Sequence, residues 1–175
     1  LRLPPGPNGT PTSDEVLRGV AIWALQFTPR VAISEEAVLM EVEACTRLFG
    51  GKRALRDRLA QEGADQGVIA LAWATNSLAA HALARAGIEN GFKRPLDELL
   101  DGLPMMVLSA VRPHEGTLSR LGCRTLGDVR RLPRGGVSRR FDKQLLLALD
   151  RVYGLQAEAH EWVQLPEVFE ARLEL

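Results

Sequence analysis

Thr117–Phe141, TLSRLGCRTLGDVRRLPRGGVSRRF, decides how the rest of the chain is read. Two short helical patterns, Leu118–Leu121 and Leu126–Leu132, are joined by a tight Gly122-Cys123-Arg124-Thr125 turn. Thr125 stands where its hydroxyl oxygen can accept from the backbone N–H groups of the second helix's first turn. Leu126, Val129 and Leu132 recur at helical spacing and form an inward face, which leaves Arg120, Arg124, Arg130, Arg131, Arg134, Arg139 and Arg140 to point outward. A compact helical hairpin carrying that many guanidinium groups suits a phosphate backbone. The plainer alternative is that they solvate a helical face.

Charge along the chain favours the first reading. The 175 residues are 46% hydrophobic and 25% charged, the balance of a globular chain, with a formal net charge of +0. That zero hides an uneven distribution. Residues 112–151 hold ten basic and four acidic side chains, net +6, between an N-terminal stretch of net −2 and a C-terminal stretch of net −4. A basic block inside a neutral chain points to a polyanionic partner better than the overall charge does. Arg112 and Lys143 extend the set beyond the hairpin.

Cys45 and Cys123 make neither a metal-ligand spacing nor a disulfide framework, so a reduced, cytoplasmic setting is expected. No apolar run approaches the roughly 20 residues of a membrane span, and no membrane partner is expected. The chain opens on Leu1 and ends in Phe169–Leu175, FEARLEL, an alternating pattern that reads as a strand, so a piece of a longer protein is expected.

Upstream of the hairpin the pattern changes. Leu1–Pro11 is rich in Pro and Gly and reads as loosely ordered. Thr12 and Glu15 form a capping-box pattern, and Val16, Val20, Trp23 and Phe27 mark the buried stripe of a helix ending before Pro29. Arg30–Ser34 and Val38–Val42 read as a strand hairpin around Ser34-Glu35-Glu36. A helix to about Gln61 buries Leu55 and Leu59. Val68–Ala74 has the length and composition of a strand, and Thr75 caps a helix over Asn76–Ala86 whose alanines suit packing on a sheet. From Pro95 to Tyr153 short helices are punctuated by Pro104, Pro113, Gly122, Pro133 and Gly135-Gly136, and the last runs from about Asp142 to Tyr153 with Leu145, Leu146, Leu149 and Val152 inside. The expected fold is α+β: a small mixed sheet with packed helices over residues 1–94, an all-helical hairpin-containing part over 95–155, and a linker with a first strand over 156–175.

Other residue types form no constellation. His81, His114 and His160 share no metal spacing, Ser77 and Ser109 lie in no Ser-His-Asp arrangement, and Gly50-Gly51 is followed by no GKS or GKT. Trp23, Trp73 and Trp162 are too widely spread for a stacking platform.

Four strings in order resemble the Y-family of translesion DNA polymerases, and most closely its divergent ImuB-type bacterial branch. They are Phe27-Thr28-Pro29-Arg30-Val31; Glu41-Val42-Glu43-Ala44-Cys45-Thr46-Arg47-Leu48-Phe49-Gly50-Gly51; Ala74-Thr75-Asn76-Ser77-Leu78-Ala79-Ala80; and Leu121–Val129 followed by Leu132-Pro133 and Arg139-Arg140-Phe141. The resemblance implies part of a palm, a thumb with a helix-hairpin-helix segment, and the start of a little finger. It also implies where the chain departs from its catalytic members. Their adjacent carboxylate pair on the palm hairpin falls on Glu36-Ala37, or on Glu35-Glu36 if the register slides by one. The third carboxylate would precede Leu1. Two magnesium ions about 3.5–4 Å apart need carboxylates from both strands, so an Ala in one place leaves them poorly neutralised. Glu41 and Glu43 alternate with Val42 and face solvent. At Asn76-Ser77 the catalytic relatives have Asn-Lys, the lysine reaching the nucleotide phosphates, and a serine has no charge to offer. The Gly-x-Gly turn of the DNA-binding hairpin falls on Ser109 and Val111, where close backbone approach to a phosphate is lost.

The resemblance therefore implies a non-catalytic homologue without a cofactor. It would bind primer–template DNA through Arg112, Arg120, Arg124, Arg130, Arg131, Arg134, Arg139, Arg140 and Lys143, and act in damage-induced (SOS) translesion synthesis and DNA repair. Implied partners are a sliding clamp, a separate catalytic polymerase and a RecA-like accessory protein. Two alternatives stay open: an active lesion-bypass nucleotidyltransferase that holds magnesium with Glu35 and Glu36, and an interaction scaffold whose basic face meets an acidic protein.

Overall fold

The computed structural model describes residues 1–165, and the strand expected at Phe169–Leu175 lies outside them. The fold is α+β, with one two-stranded antiparallel sheet among the described residues. The chain divides into two compact units, Leu1–Ile69 with the segment from His160 onward, and Ala70–Ala159. The division falls well before residue 94, because the helix after Asn76 packs with the helical unit.

In the first unit, helix α1 spans Asp14–Ala24. Its cap is Ser13, whose Oγ accepts from the Val16 N–H at 3.2 Å. Thr12, the expected cap, instead donates its hydroxyl to the Pro4 carbonyl at 2.8 Å. The buried face is correspondingly shifted to Leu17, Val20, Ala21 and Ala24, and Val16 is 46% exposed. Phe27 is buried beyond the helix end, against Trp23 and Phe49 at ring-centroid distances of 5.2 and 5.4 Å. The Arg58 guanidinium lies 5.0 Å from the centroid of the Phe27 ring.

Strands β1 (Val31–Ser34) and β2 (Ala37–Met40) pair from Val31↔Met40 to Ser34↔Ala37. They are shorter than the sequence suggests, since a 3-10 helix takes over at Glu43–Phe49. The two-residue loop Glu35-Glu36 puts Glu35 at φ +51°, the left-handed region that such loops require at their first position. Val31, Ala32, Ala37 and Val38 are buried, and Val31 and Val38 join the apolar face of α1 in one core.

Both sheet edges are covered. The Leu3 N–H donates to the Glu36 carbonyl at 2.9 Å, and the Val38 N–H to the Leu1 carbonyl at 2.8 Å. On the other side the Val163 N–H donates to Val31 at 2.7 Å. The Pro- and Gly-rich opening is therefore not loose: Leu3 is 1% exposed and belongs to the core. A paired edge offers no free ladder to another chain. Helix α2, Lys52–Asp65, buries Leu55 and Leu59 as expected.

Val68–Ala74 forms no strand. The Val68 N–H closes the end of α2 on Gly63, after Gly67 at φ +87°. Trp73 makes one isolated parallel bridge with Asn90, so its backbone finds single partners rather than a ladder.

The second unit is helical. Helix α3 is Ser77–Arg85, and Asn76 rather than Thr75 caps it, with Oδ1 accepting from the Ala79 N–H at 2.8 Å. Helix α4 is Leu96–Asp101, followed by 3-10 turns at Met105–Val107 and Ser109–His114. Helices α5 (Glu115–Arg120), α6 (Leu126–Arg130), α7 (Arg134–Arg140) and α8 (Lys143–Val152) complete it. Gly135-Gly136 lies inside α7 rather than breaking the chain. Asp142 caps α8 by accepting from the Leu145 N–H at 2.8 Å. The core holds Ala79, Ala82 and Leu83 of α3 with Leu100, Leu108, Val111, Leu118, Leu126, Val129, Leu145 and Val152. The alanines of α3 thus serve helix packing in this core, where the sequence suggested a sheet. No helix among the described residues is long and apolar enough to cross a membrane.

Candidate nucleic-acid interface

Helices α5 and α6 flank the turn Gly122–Thr125. Gly122 at φ +85° ends α5, with its N–H on Ser119 at 3.0 Å and the Cys123 N–H on Leu118 at 3.0 Å. Thr125 and Asp128 then close a reciprocal cap. The Asp128 N–H donates to Thr125 Oγ1 at 3.1 Å, while Asp128 Oδ2 accepts from the Arg124 and Thr125 N–H groups at 2.9 and 3.0 Å. Those two backbone donors hold the Asp128 carboxyl below its usual range. Cys123 is buried in the turn, and burial first, then the Asp128 charge, pushes its thiol up.

The turn is stitched to the preceding segment as well. The Met105 N–H donates to Arg124 at 2.9 Å and the Leu126 N–H to Leu103 at 3.0 Å. At the positions expected of a glycine turn, Val111 is fully buried, with its N–H on Leu108 at 3.0 Å. The Ser109 hydroxyl accepts from Arg85 Nη1 at 2.8 Å. The Val111 amide is thus consumed inside the fold, and the loss of close backbone approach follows from packing.

The nine expected cations are all on the surface but fall into two groups. Arg130 folds back: it donates to Asp101 Oδ2, and its guanidinium lies 4.5 Å from the centroid of the Tyr153 ring. Arg134 donates from both Nη atoms to Asp150, at 2.7 and 3.0 Å, a bidentate pair that holds the Asp150 carboxyl below its usual range. Arg131 lies 3.6 Å from Asp128 Oδ1. These three point outward as expected but lie beside carboxylates of their own fold.

Arg112, Arg120, Arg124, Arg139, Arg140 and Lys143 have no carboxylate within ion-pair reach among the described residues. Three of them are anchored on backbone. Arg112 Nε donates to Met106 at 3.3 Å, Arg120 Nε to Gly116 at 3.2 Å, and Arg139 Nε to Gly135 at 3.0 Å. Each guanidinium is thus aimed by a carbonyl while its Nη atoms stay unpaired with acid. His114 ties the junctions that carry Arg112 and Arg139–Lys143 together, with Nε2 3.0 Å from Asp142 Oδ2 and its ring 5.2 Å from Phe141.

The positions the resemblance assigns to catalysis lie on the β1–β2 hairpin and at the start of α3. Ala37 is buried in the hairpin, opposite Ser34. Glu36 Oε1 lies 3.7 Å from Arg2 Nε. Glu41 is held by Arg30 Nη1 at 3.1 and 3.0 Å, at the surface, and Glu43 opens a 3-10 helix. The Ser77 hydroxyl donates to Glu158. That partner is distant in sequence, and no local signal could have named it.

No family model matches the chain, and no solved structure matches it. The chain is similar to Protein ImuB of two strains of Caulobacter vibrioides, 32% identical to each over 154 residues. Those residues are 85% of this chain and 34% of either relative, so the chain spans about a third of the proteins it matches. With its strand-hairpin unit, its capped helical unit and this likeness, the chain is a Y-family polymerase-like protein. Within that class the chain is of the ImuB type.

Proposed function

We propose that this chain is part of a non-catalytic ImuB-type protein that binds primer–template DNA in damage-induced translesion synthesis. The observation that carries the reading is the set of six cations without acid partners, Arg112, Arg120, Arg124, Arg139, Arg140 and Lys143, three of them aimed by backbone carbonyls. Such cations neutralise phosphates irrespective of sequence, and the helical unit would serve as a thumb on the duplex backbone.

The lack of catalysis rests on different residues. A buried methyl at Ala37 cannot ligate an ion, and Ser77 supplies no charge to a phosphate. A sliding clamp, a separate catalytic polymerase and a RecA-like protein are the partners that such a role requires, since an inactive homologue contributes by organising others. Residues 1–94 would be part of a palm, residues 95–155 the thumb, and residues 156–175 a linker with the start of a little finger.

Fluorescence anisotropy with labelled duplex at low and moderate salt tests the DNA reading; an interaction scaffold for an acidic protein predicts no affinity there. Primer extension by the full-length protein with magnesium tests the other half. Incorporation that disappears in Glu36→Ala would establish the active-polymerase reading in its place.

A further inference from the structure

The segment that follows α8 turns back onto α3. Gly154, at φ +78°, reverses the chain, and the Leu155 and Gln156 N–H groups both donate to the Asp150 carbonyl, at 2.7 and 3.2 Å. Leu155 then lines a shallow apolar groove with Leu132, Val137, Leu146 and Leu149, although it is 75% exposed. Three residues on, Glu158 reaches the first turn of α3: Oε1 accepts from the Leu78 N–H at 2.9 Å, and Oε2 from the Ser77 hydroxyl. Asn76 ties the same turn to the end of α8, donating from Nδ2 to the Val152 carbonyl at 3.0 Å while its Oδ1 caps α3.

We propose that Leu155–Ala159 is a strap, clasped by Glu158 on Ser77 and Leu78, that opens as a unit while the helical core stays folded. Three features set it apart from the core. Gln156, Ala157 and Ala159 are exposed. The strap's first two residues are bonded through their backbone N–H groups to Asp150, at the α8 end. Its far end is held through a charged side chain on a helix's first turn, where orphan N–H groups and the helix dipole favour a carboxylate. Segments with few buried apolar contacts open locally at far less cost than global unfolding. A closed strap keeps the Ser77 hydroxyl engaged and fixes the path by which the chain leaves the helical unit; an open one releases both. Ser77 is on this reading half of a clasp, a role independent of whether the protein binds DNA.

Amide hydrogen exchange on the full chain, wild type against Glu158→Ala and Glu158→Gln, tests the proposal. Loss of the clasp is expected to speed exchange at Leu78, Leu155 and Gln156, the amides the closed strap protects, by at least tenfold in the alanine variant and less in the glutamine variant. Leu126, Val129 and Leu145 should exchange as before. Unchanged exchange in the strap would overturn the proposal, because Glu158 would then hold nothing. Acceleration of the three core amides in step with the strap would overturn it too, because the segment would then be part of the core.

Discussion

The Tyr153 hydroxyl donates to Asp101 Oδ1 at 2.6 Å, and Arg130 takes the other oxygen of the same carboxylate while lying over the tyrosine ring. One acid at the end of α4 thereby fixes α6 and the residue that ends α8. Asp101 accepts both bonds, so removing it leaves a half-buried hydroxyl and a guanidinium without partners.

Asp101→Ala is expected to cost about 2 kcal/mol and Tyr153→Phe about 1 kcal/mol, read from urea unfolding. Arg130 retains access to water, so its broken pair adds little to the first figure. Tyr153 is the chain's sole tyrosine, which permits a direct titration at 295 nm. Burial first, then the bond to Asp101, push its phenol well above the ordinary value. Because the folded value is raised, the associated stability is fully present below about pH 10 and is lost as pH rises through the folded value. The folded chain should ionise at higher pH than the same chain in urea, and coincident curves would contradict the burial described here.

Gly127 sits where α6 meets the end of α4. An added Cβ would stand 2.9 Å from the Asp101 carbonyl oxygen and 3.2 Å from its Cα, both backbone atoms that cannot swing aside. Gly127→Ala should therefore force the helices apart and destabilise the fold by about 1–3 kcal/mol, the usual range for overpacking. Gly116→Ala, whose Cβ would meet only a distant arginine side chain, is the matched control and should be near neutral.

The part of the fold that was legible in the sequence is the part set by local rules. The Thr125 cap, the Leu126–Val129 face and the strand pair around Glu35-Glu36 all depend on neighbours within a few residues. What was not legible depends on distant chain. Leu3 reads as part of a Pro–Gly tail until the edge of β2 takes up its backbone. Val68–Ala74 has a strand's composition but meets no strand to pair with. Two of the three matched arginines, Arg130 and Arg134, are paired only because Asp101 and Asp150, 29 and 16 residues away, fold against them.

Acid should loosen the helix caps first. The backbone N–H groups of Arg124 and Thr125 hold the Asp128 carboxyl below its usual range, and the Leu145 N–H followed by His114 does the same for Asp142. A depressed folded value contributes stability that is present above about pH 4 and lost as pH falls through the folded value. The unfolding midpoint in urea should drop between pH 5 and pH 2–3 as a rough window, and Asp128→Asn should flatten part of that drop. At neutral pH, Thr125→Ala removes the other half of the cap and should cost about 1 kcal/mol.

The division of the cations makes the DNA reading testable at single residues. Counterion release predicts that each phosphate contact contributes about −0.9 to the slope of log affinity against log salt. Arg124→Ala, Arg139→Ala and Arg140→Ala should each shrink that slope by roughly one unit while leaving thermal unfolding nearly unchanged, because these side chains have no acid partner among the described residues and Arg139's bond to the Gly135 carbonyl lies at the exposed surface. Arg130→Ala and Arg134→Ala should do the reverse: their charges are already answered by Asp101 and Asp150, so the salt slope stays and the melting temperature falls. Anisotropy titrations across a salt series, paired with melting curves for the same five variants, check both halves at once. If Arg130 and Arg134 moved the slope as much as the other three, the acid pairs would have to open on DNA, and the set of six would lose its claim to be the contact surface.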